Sequence, residues 1–452
     1  MDNLKKSKFK FIHAADIHLG SIIHATCGEI REIDTIFKYG VYKAFNNICE
    51  FAIKTKVDFI LLCGDVYDRE SRTVRAAEIF HNECKRLNEN NINVYIIRGN
   101  HDPIGKSEEL FNLPDNVYIF DNEKTENFEM NKDDNFIARI VGQSYKGKWE
   151  GRKVFQNYIV EDNSSYNIAL LHTQLEPQNN NYLPCSSKEL IKNKNINYWA
   201  LGHIHKCRII NEKSPVIVYP GIPQGRDIGE KGIGGCLLVE VMEDYSTNLS
   251  FVPTSSVIWE KIIVDINDYN NLENLNDLEE VLVEKSELVL NSQVEVPENL
   301  ESTYPPSQLL KGYVVQWDIQ GRGKINEVLR EDKENIIDYL RQTLNERFVQ
   351  KEKFLYTDSI EINTKKAFKD LEKFKENTSI CNEINSIIES ISQDEELKKE
   401  FIKSFGNVFE KKYDIEDINQ EKIQLDEEII EEIINEAREI VLEKLIEKGE
   451  QF

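Results

Sequence analysis

The first 250 residues predict an α/β fold, and two features of the sequence carry that expectation. Short apolar runs alternate with stretches of helical spacing, and five of the runs end in clusters of Asp, Asn or His. Runs of four to seven apolar residues closed by Gly or Asp read as buried strands, and their alternation with helices reads as β-α-β structure. In chain order, Phe9 to Ala15 leads into Asp16 and His18, and Asp58 to Cys63 leads into Gly64 and Asp65. Asn93 to Ile97 leads into Gly99, Asn100 and His101, Ile168 to Leu171 into His172, and Tyr198 to Leu201 into Gly202, His203 and His205. Helices are expected over Ile30–Lys56 and Thr73–Asn90. Groups at the carboxyl ends of strands in such sheets converge on one edge, so the five clusters are expected to meet.

After Phe251-Val252-Pro253 the pattern changes. Strands are expected over Ile258–Ile266, Gly312–Ile319 and Phe354–Ile362, helices over Leu272–Leu290 and Ile325–Phe348, and a loose loop over Pro297–Pro306. From Lys366 onward the chain reads as helices. The last, Asp426–Lys448, sets Ile429, Ile430, Ile433, Ile434, Ala437, Ile440, Val441 and Leu445 on one apolar stripe, the spacing of a helix packed on its own domain or, less often, on a partner. The expected division is 1–255, an α+β domain at 256–365, and a helical region at 366–452.

The 452 residues carry a net charge of −24, unevenly spread. Residues 1–250 hold 31 Lys+Arg against 34 Asp+Glu, and residues 251–452 hold 25 against 46. That balance argues against broad, metal-free binding to a polyanion, whose phosphates attract basic surfaces, but it leaves room for a local phosphate-binding cleft. A hydrophobic content of 40% and a charged content of 30% suit a globular chain with a real core. No run approaches the roughly 18 apolar residues needed to span a bilayer, and the basic start lacks the apolar core of a secretory signal, so no membrane partner is expected. Eight scattered cysteines without a C-x-x-C pair fit a reducing cytosol, and a cytoplasmic location is expected. No strand–GxxxxGK[ST]–helix occurs, which excludes ATP hydrolysis by that route.

The clusters supply a coherent donor set. Asp16 and His18 are i and i+2 just past a strand, so both can point to one side. Asp65 precedes a bend, where one carboxylate can offer an oxygen to each of two cations. Asn100 offers a neutral oxygen, and His172, His203 and His205 offer neutral imidazole nitrogens. Such mixed N/O ligation suits Mn²⁺, Fe²⁺ or Zn²⁺ better than Mg²⁺ or Ca²⁺. Two cations about 3.5–4 Å apart can clamp a phosphoryl oxygen and activate water. Taken singly, an Asp-x-His or His-x-His is usually a turn or a surface pair. The ordered set ADIH, GDVYD, GNHD, LLHT and GHIH is a far stronger signal.

On these motifs the chain resembles the calcineurin-like metallophosphoesterase superfamily. Within it, the ADIHLG opening, NYWALGHIHK (Asn197–Lys206) and YPGIPQGRDIGEKG (Tyr219–Gly232) resemble the SbcD/YhaO-type DNA exonuclease subunits. The resemblance covers about residues 9–240. It implies a four-layer β-sandwich flanked by helices and two divalent cations, Mn²⁺ first. Asp16, His18 and His205 would hold one cation, Asn100, His172 and His203 the other, and Asp65 would bridge them. It further implies that His101 protonates or stabilises the leaving oxygen, oriented by Asp102, with Asp68 supporting the ligands. The implied partners are DNA, an SMC-like coiled-coil ATPase and a second copy of the chain, and the implied process is DNA repair. The same centre also serves phosphoprotein phosphatases, cyclic-nucleotide phosphodiesterases and hydrolases of small phosphodiesters, and a non-catalytic adaptor could keep the fold.

Some further residues are weaker candidates. Arg98, Lys206 and Arg226 lie next to the motifs and are candidates for a substrate phosphate, with solvated surface charge as the ordinary alternative. Tyr182 could line the cleft.

Overall fold

Two sheets face one another across an apolar layer in the computed structural model. It describes residues 7–366 apart from 27–30, 69–72, 104–109, 133–134, 161–164, 177–180 and 270–271, together with single helical positions beyond 366. The chain runs β1 (Ser7–Ala14), α1 (Arg31–Thr55), β2 (Phe59–Cys63), α2 (Val74–Glu89), β3 (Asn93–Ile97), β4 (Val117–Ile119), β5 (Glu126–Lys132), β6 (Asn135–Gly142) and β7 (Tyr166–His172). It continues with α3 (Ser187–Lys192), β8 (Tyr198–Gly202), β9 (Arg208–Asn211), β10 (Val216–Tyr219), β11 (Gly235–Met242), β12 (Thr247–Pro253) and β13 (Val257–Asp265). Then come α4 (Leu275–Asn291), β14 (Glu301–Ser302), β15 (Gly312–Gly323), α5 (Ile325–Glu331), α6 (Lys333–Phe348) and β16 (Phe354–Lys366).

The first sheet has the order β14-β12-β11-β1-β2-β3-β4 and the second β5-β6-β7-β8-β10-β9. Their centres, β1-β2-β3 and β6-β7-β8, are parallel. Parallel strands covered on both faces read as continuous apolar runs, and all five residues of FILLC in β2 are buried. Between the sheets, Phe11 stacks on Phe59 at 4.8 Å and meets Tyr198 edge-on at 5.4 Å. Helices α1 and α2 cover the outer face of the first sheet, with Phe45, Ile48, Phe80 and Leu87 packed on Ile12, Ile60 and Ile96. Thr73 starts α2 by accepting from the Ala76 amide at 3.1 Å. Val154, Phe155, Tyr158 and Leu190 cover the outer face of the second sheet. The layers are helix, sheet, sheet, and a mixed helix-and-loop cover. The five strand ends are shared between two sheets, which corrects the expectation of a single edge.

The third sheet, β13-β15-β16, is wholly parallel. Helices α4, α5 and α6 pack on one face of it around Trp317, Leu282 and Leu344. Its other face meets Ile23, Ile33 and Phe37 through Trp259, Val314, Phe354 and Tyr356. Two expectations are corrected here. The single helix expected over Ile325–Phe348 is two, broken at Asp332 (φ −146°, ψ 57°). The break turns Leu329 of α5 and Leu340 of α6 toward the same core. The loop at Pro297–Pro306 is not loose, because β14 within it pairs with β12 of the first sheet and the Tyr304 hydroxyl donates to the Pro253 carbonyl.

Residues Met1–Lys366 and Ala367–Phe452 form two compact units. In the second, Ile433, Ile434, Ala437, Ile440 and Val441 are helical. The other stripe positions, Ile429, Ile430 and Leu445, lie outside the described residues. No described helix is long and apolar enough to cross a membrane. Six described cysteines, Cys49, Cys63, Cys84, Cys185, Cys207 and Cys236, are free thiols.

Candidate metal centre

The centre lies where the carboxyl ends of β1, β2 and β3 from one sheet meet those of β7 and β8 from the other. Asp16 and His18 follow β1, Asp65 follows β2, Asn100 and His101 follow β3, His172 closes β7, and His203 and His205 follow β8. Two glycines permit the approach. A Cβ on Gly202 would lie 1.8 Å from the Cys63 carbonyl oxygen, and one on Gly99 would lie 2.2 Å from Asp65 Oδ1. Asp16, His18, Asp65 and His203 adopt left-handed backbone, with φ of 52°, 50°, 51° and 98°. Non-glycine residues hold such conformations at a cost of roughly 1–3 kcal/mol each, and they concentrate at functional sites.

All seven expected ligands are brought together. Asp16, His18 and His205 offer donor atoms within 4.8 Å of one another, as do Asp16, Asp65 and His172. His172 Nε2 lies 3.0 Å from Asn100 Oδ1 and 3.4 Å from Asp65 Oδ2, and His203 Nδ1 lies 3.2 Å from the same Asn100 oxygen. His18 Nε2 and His205 Nε2 face each other at 3.4 Å. The His203 amide donates to Asp16 Oδ2 at 2.9 Å, and the His101 amide to Asp65 Oδ1 at 2.9 Å. His172 Nδ1 must donate to the Cys63 carbonyl, 2.9 Å away, because a carbonyl only accepts. Its Nε2 therefore points at two oxygens, and either a proton or a cation has to stand between them.

The electrostatics express the same demand. Burial would raise Asp65, but His172, then His18 and His101, hold its carboxyl well below the usual carboxylate range. Burial opposes a charge on His172, yet Asp65 and Asp16 push its imidazole up to about 9. Asp16 is pushed up to about 6, first by burial, with Asp65 adding to it against His172 and His205. Burial drives His203 down to about 3 and His18 well below its ordinary value. His18 Nδ1 is buried and has no hydrogen-bond partner among the described residues. Converging lone pairs and buried carboxylates fit divalent cations.

The surrounding residues depart from expectation. Asp102 does not orient His101. Its oxygens accept from the amides of Val66 (2.9 Å) and Gly99 (2.8 Å) and pair with Arg98 Nη1 at 3.0 Å. The group facing the half-exposed His101 is Asp68, with Oδ1 at 3.5 Å from Nδ1, and Asp68 raises the imidazole above its ordinary value. Arg98 is buried against Asp102 and lies over the Tyr67 ring, so its expected contact with substrate is corrected to a structural one. Arg226 sits at the centre, between Glu230 (2.7 Å) and Asp68 (3.9 Å). Lys206 is exposed. The Tyr182 ring packs on His203 at 4.6 Å. Glu230 went unnoticed in the sequence. Its Oε1 lies 2.6 Å from His205 Nδ1, and burial would raise it, but His205 and Arg226 hold it well below the carboxylate range. The only sequence signal was an acid four residues after Arg226.

A family model described as calcineurin-like phosphoesterase matches residues 9–207, the span that carries the ligands from Asp16 to His205. Residues 9–207 are a calcineurin-like phosphoesterase domain. The chain is 33% identical over 264 residues to the uncharacterized metallophosphoesterase YhaO of Bacillus subtilis, covering 58% of this chain and 64% of that protein. It is 30% identical over 216 residues to the DNA double-strand break repair protein Mre11 of Methanocaldococcus jannaschii, covering 47% of this chain and 55% of that one. The chain thus spans less than two thirds of either relative. A protein of the same name from Sulfolobus acidocaldarius is 25% identical over 424 residues, covering 89% of this chain and 100% of that protein.

Proposed function

We propose that the chain is a two-metal phosphodiesterase, a Mn²⁺-dependent DNA exonuclease of DNA repair that works as a homodimer with an SMC-like coiled-coil ATPase. The observation that carries the reading is the convergence of Asp16, His18, Asp65, Asn100, His172, His203 and His205 from five strand ends, with His101 half-exposed beside them. The relatives named for double-strand break repair support DNA as the substrate. The mixed imidazole and carboxylate donors suit Mn²⁺, Fe²⁺ or Zn²⁺, and the family resemblance puts Mn²⁺ first.

Asp16, His18 and His205 would hold one cation and Asn100, His172 and His203 the other, with Asp65 shared. When bound, such a pair neutralises phosphoryl oxygens and lowers the pKa of water. The chain's own groups do the rest. With Nδ1 turned to Asp68, His101 would present Nε2 to give a proton to the leaving oxygen, and Asp68 raises the imidazole above its ordinary value. Arg226 adds positive charge at the centre, and Lys206 could meet a substrate phosphate from outside. Residues 1–255 would form the nuclease domain, 256–365 would orient DNA ends over it, and 366–452 would meet the ATPase in the cytoplasm.

The purified chain with Mn²⁺ and end-labelled duplex DNA tests the reading. Metal-dependent release of nucleotides, lost in Asp65→Asn, is the expected result. Turnover of a generic aryl phosphodiester with intact DNA would point to a phosphoesterase of another substrate class.

A further inference from the structure

Outside the ligand set, one buried acid touches both a candidate ligand and a cation. Glu230 Oε1 lies 2.6 Å from His205 Nδ1 and 2.7 Å from Arg226 Nη2, and its Oε2 accepts from the Arg226 amide at 2.6 Å. Glu230 also sits against Gly225, where a Cβ would lie 2.4 Å from the Glu230 carbonyl oxygen. The segment is therefore folded tightly back on itself, and its acid is fixed in position. Arg226 is anchored in turn, since its carbonyl accepts from the His24 amide at 2.7 Å. The guanidinium continues to Asp68 at 3.9 Å, and Asp68 to His101 at 3.5 Å.

We infer that Glu230 is a positioning residue that dedicates His205 to the cation held with Asp16 and His18, and that the same carboxylate, through Arg226, sets the place of Asp68 beside His101. A carboxylate only accepts, so it fixes the proton of His205 on Nδ1 and leaves the Nε2 lone pair facing His18 Nε2. Without the acid the ring can turn or change tautomer, and one of the two ion positions loses an imidazole. Asn100, His172 and His203 have no contact with Glu230 among the described hydrogen bonds and ion pairs, so the other position is untouched.

The inference rests on the two-metal reading, and calorimetric titration of the full chain with Mn²⁺ separates the two. Wild type should take up two ions. In Glu230→Gln the uptake of one ion should weaken about 10-fold, and in Glu230→Ala about 100-fold, while the other stays within about 2-fold, the range seen when a carboxylate behind a ligating histidine is removed. His205→Ala should weaken the same ion as Glu230→Ala, and the double variant should add little to either. Thermal unfolding of the metal-free variants checks that the fold persists. Wild type that takes up no Mn²⁺ would overturn the two-metal reading itself. Wild type with two ions and both Glu230 variants with unchanged affinities would overturn only the role given to Glu230. Equal weakening of both ions, in Glu230→Gln as in Glu230→Ala, would also overturn it, since the effect would then be a general loosening of the centre.

Discussion

The third sheet and the paired sheets before it obey the same building rule, parallel strands with helices laid on a face, yet they bury different things. Among the described residues of 257–366 the buried polar groups are Ser286, Asn326 and Thr357, all uncharged. Their donors are used locally: Ser286 donates to the Leu282 carbonyl and Asn326 Nδ2 to Thr364, and Thr357 accepts from the Trp317 indole, while Asn326 Oδ1 has no hydrogen-bond partner among the described residues. The paired sheets instead bury Asp16, His18, Asp65 and His172 side by side, three of them on left-handed backbone. An arrangement that only had to pack would not keep titratable groups dry on strained backbone. The contrast says that the first region is shaped around something it holds and the second around its own core.

The comparison breaks or sharpens under four measurements. Trp317→Ala should cost about 4 kcal/mol of stability in denaturant unfolding, by leaving a large cavity in the third sheet's core, and should leave Mn²⁺ affinity unchanged. A fall in affinity would mean the two regions are not separate in purpose. Asp65→Asn should lower phosphodiester turnover on the order of 10³-fold, and because His172 pairs with that buried carboxylate it should also cost some stability in denaturant unfolding. His101→Ala should lower turnover about 100-fold with metal uptake intact; unchanged turnover would remove the proton donor from the scheme. The last effect concerns acid and is spread over a wide pH range. His13 is buried between the sheets on Tyr198 Oη (2.9 Å) and the Leu201 carbonyl (3.0 Å), and burial lowers it to about 3. The unfolded chain binds this proton below about 6.5, so stability is full above that pH and falls as pH drops toward 3. The loss is about 1.4 kcal/mol per pH unit in that window. Replacing His13 with Leu should flatten that part of the acid-unfolding curve.

Much of the centre was legible because each ligand closes an apolar run, and a strand that ends in Gly, Asp or His announces itself without any knowledge of pairing. Which sheet a strand joins is not announced. The runs ending at Cys63 and His172 look alike in the sequence and lie in different sheets. The resemblance misled in one place. Asp102 follows His101 in the chain, but its oxygens turn to the Val66 and Gly99 amides, and the acid that meets the imidazole is Asp68, far away in sequence. Glu230 was hidden for a related reason, since its partners come from the loop after β8 and from its own tight turn. The return of β14 to the first sheet rests on a pairing of two residues, too short for any periodicity to show.

The donors come almost evenly from two layers that share no strand ladder. Asp16, His18, Asp65 and Asn100 follow strands of one, and His172, His203 and His205 belong to the other. Any ion seated among them would act as a rivet through the seam, clamping the layers against breathing and making the rigidity of the whole sandwich answer to the supply of metal.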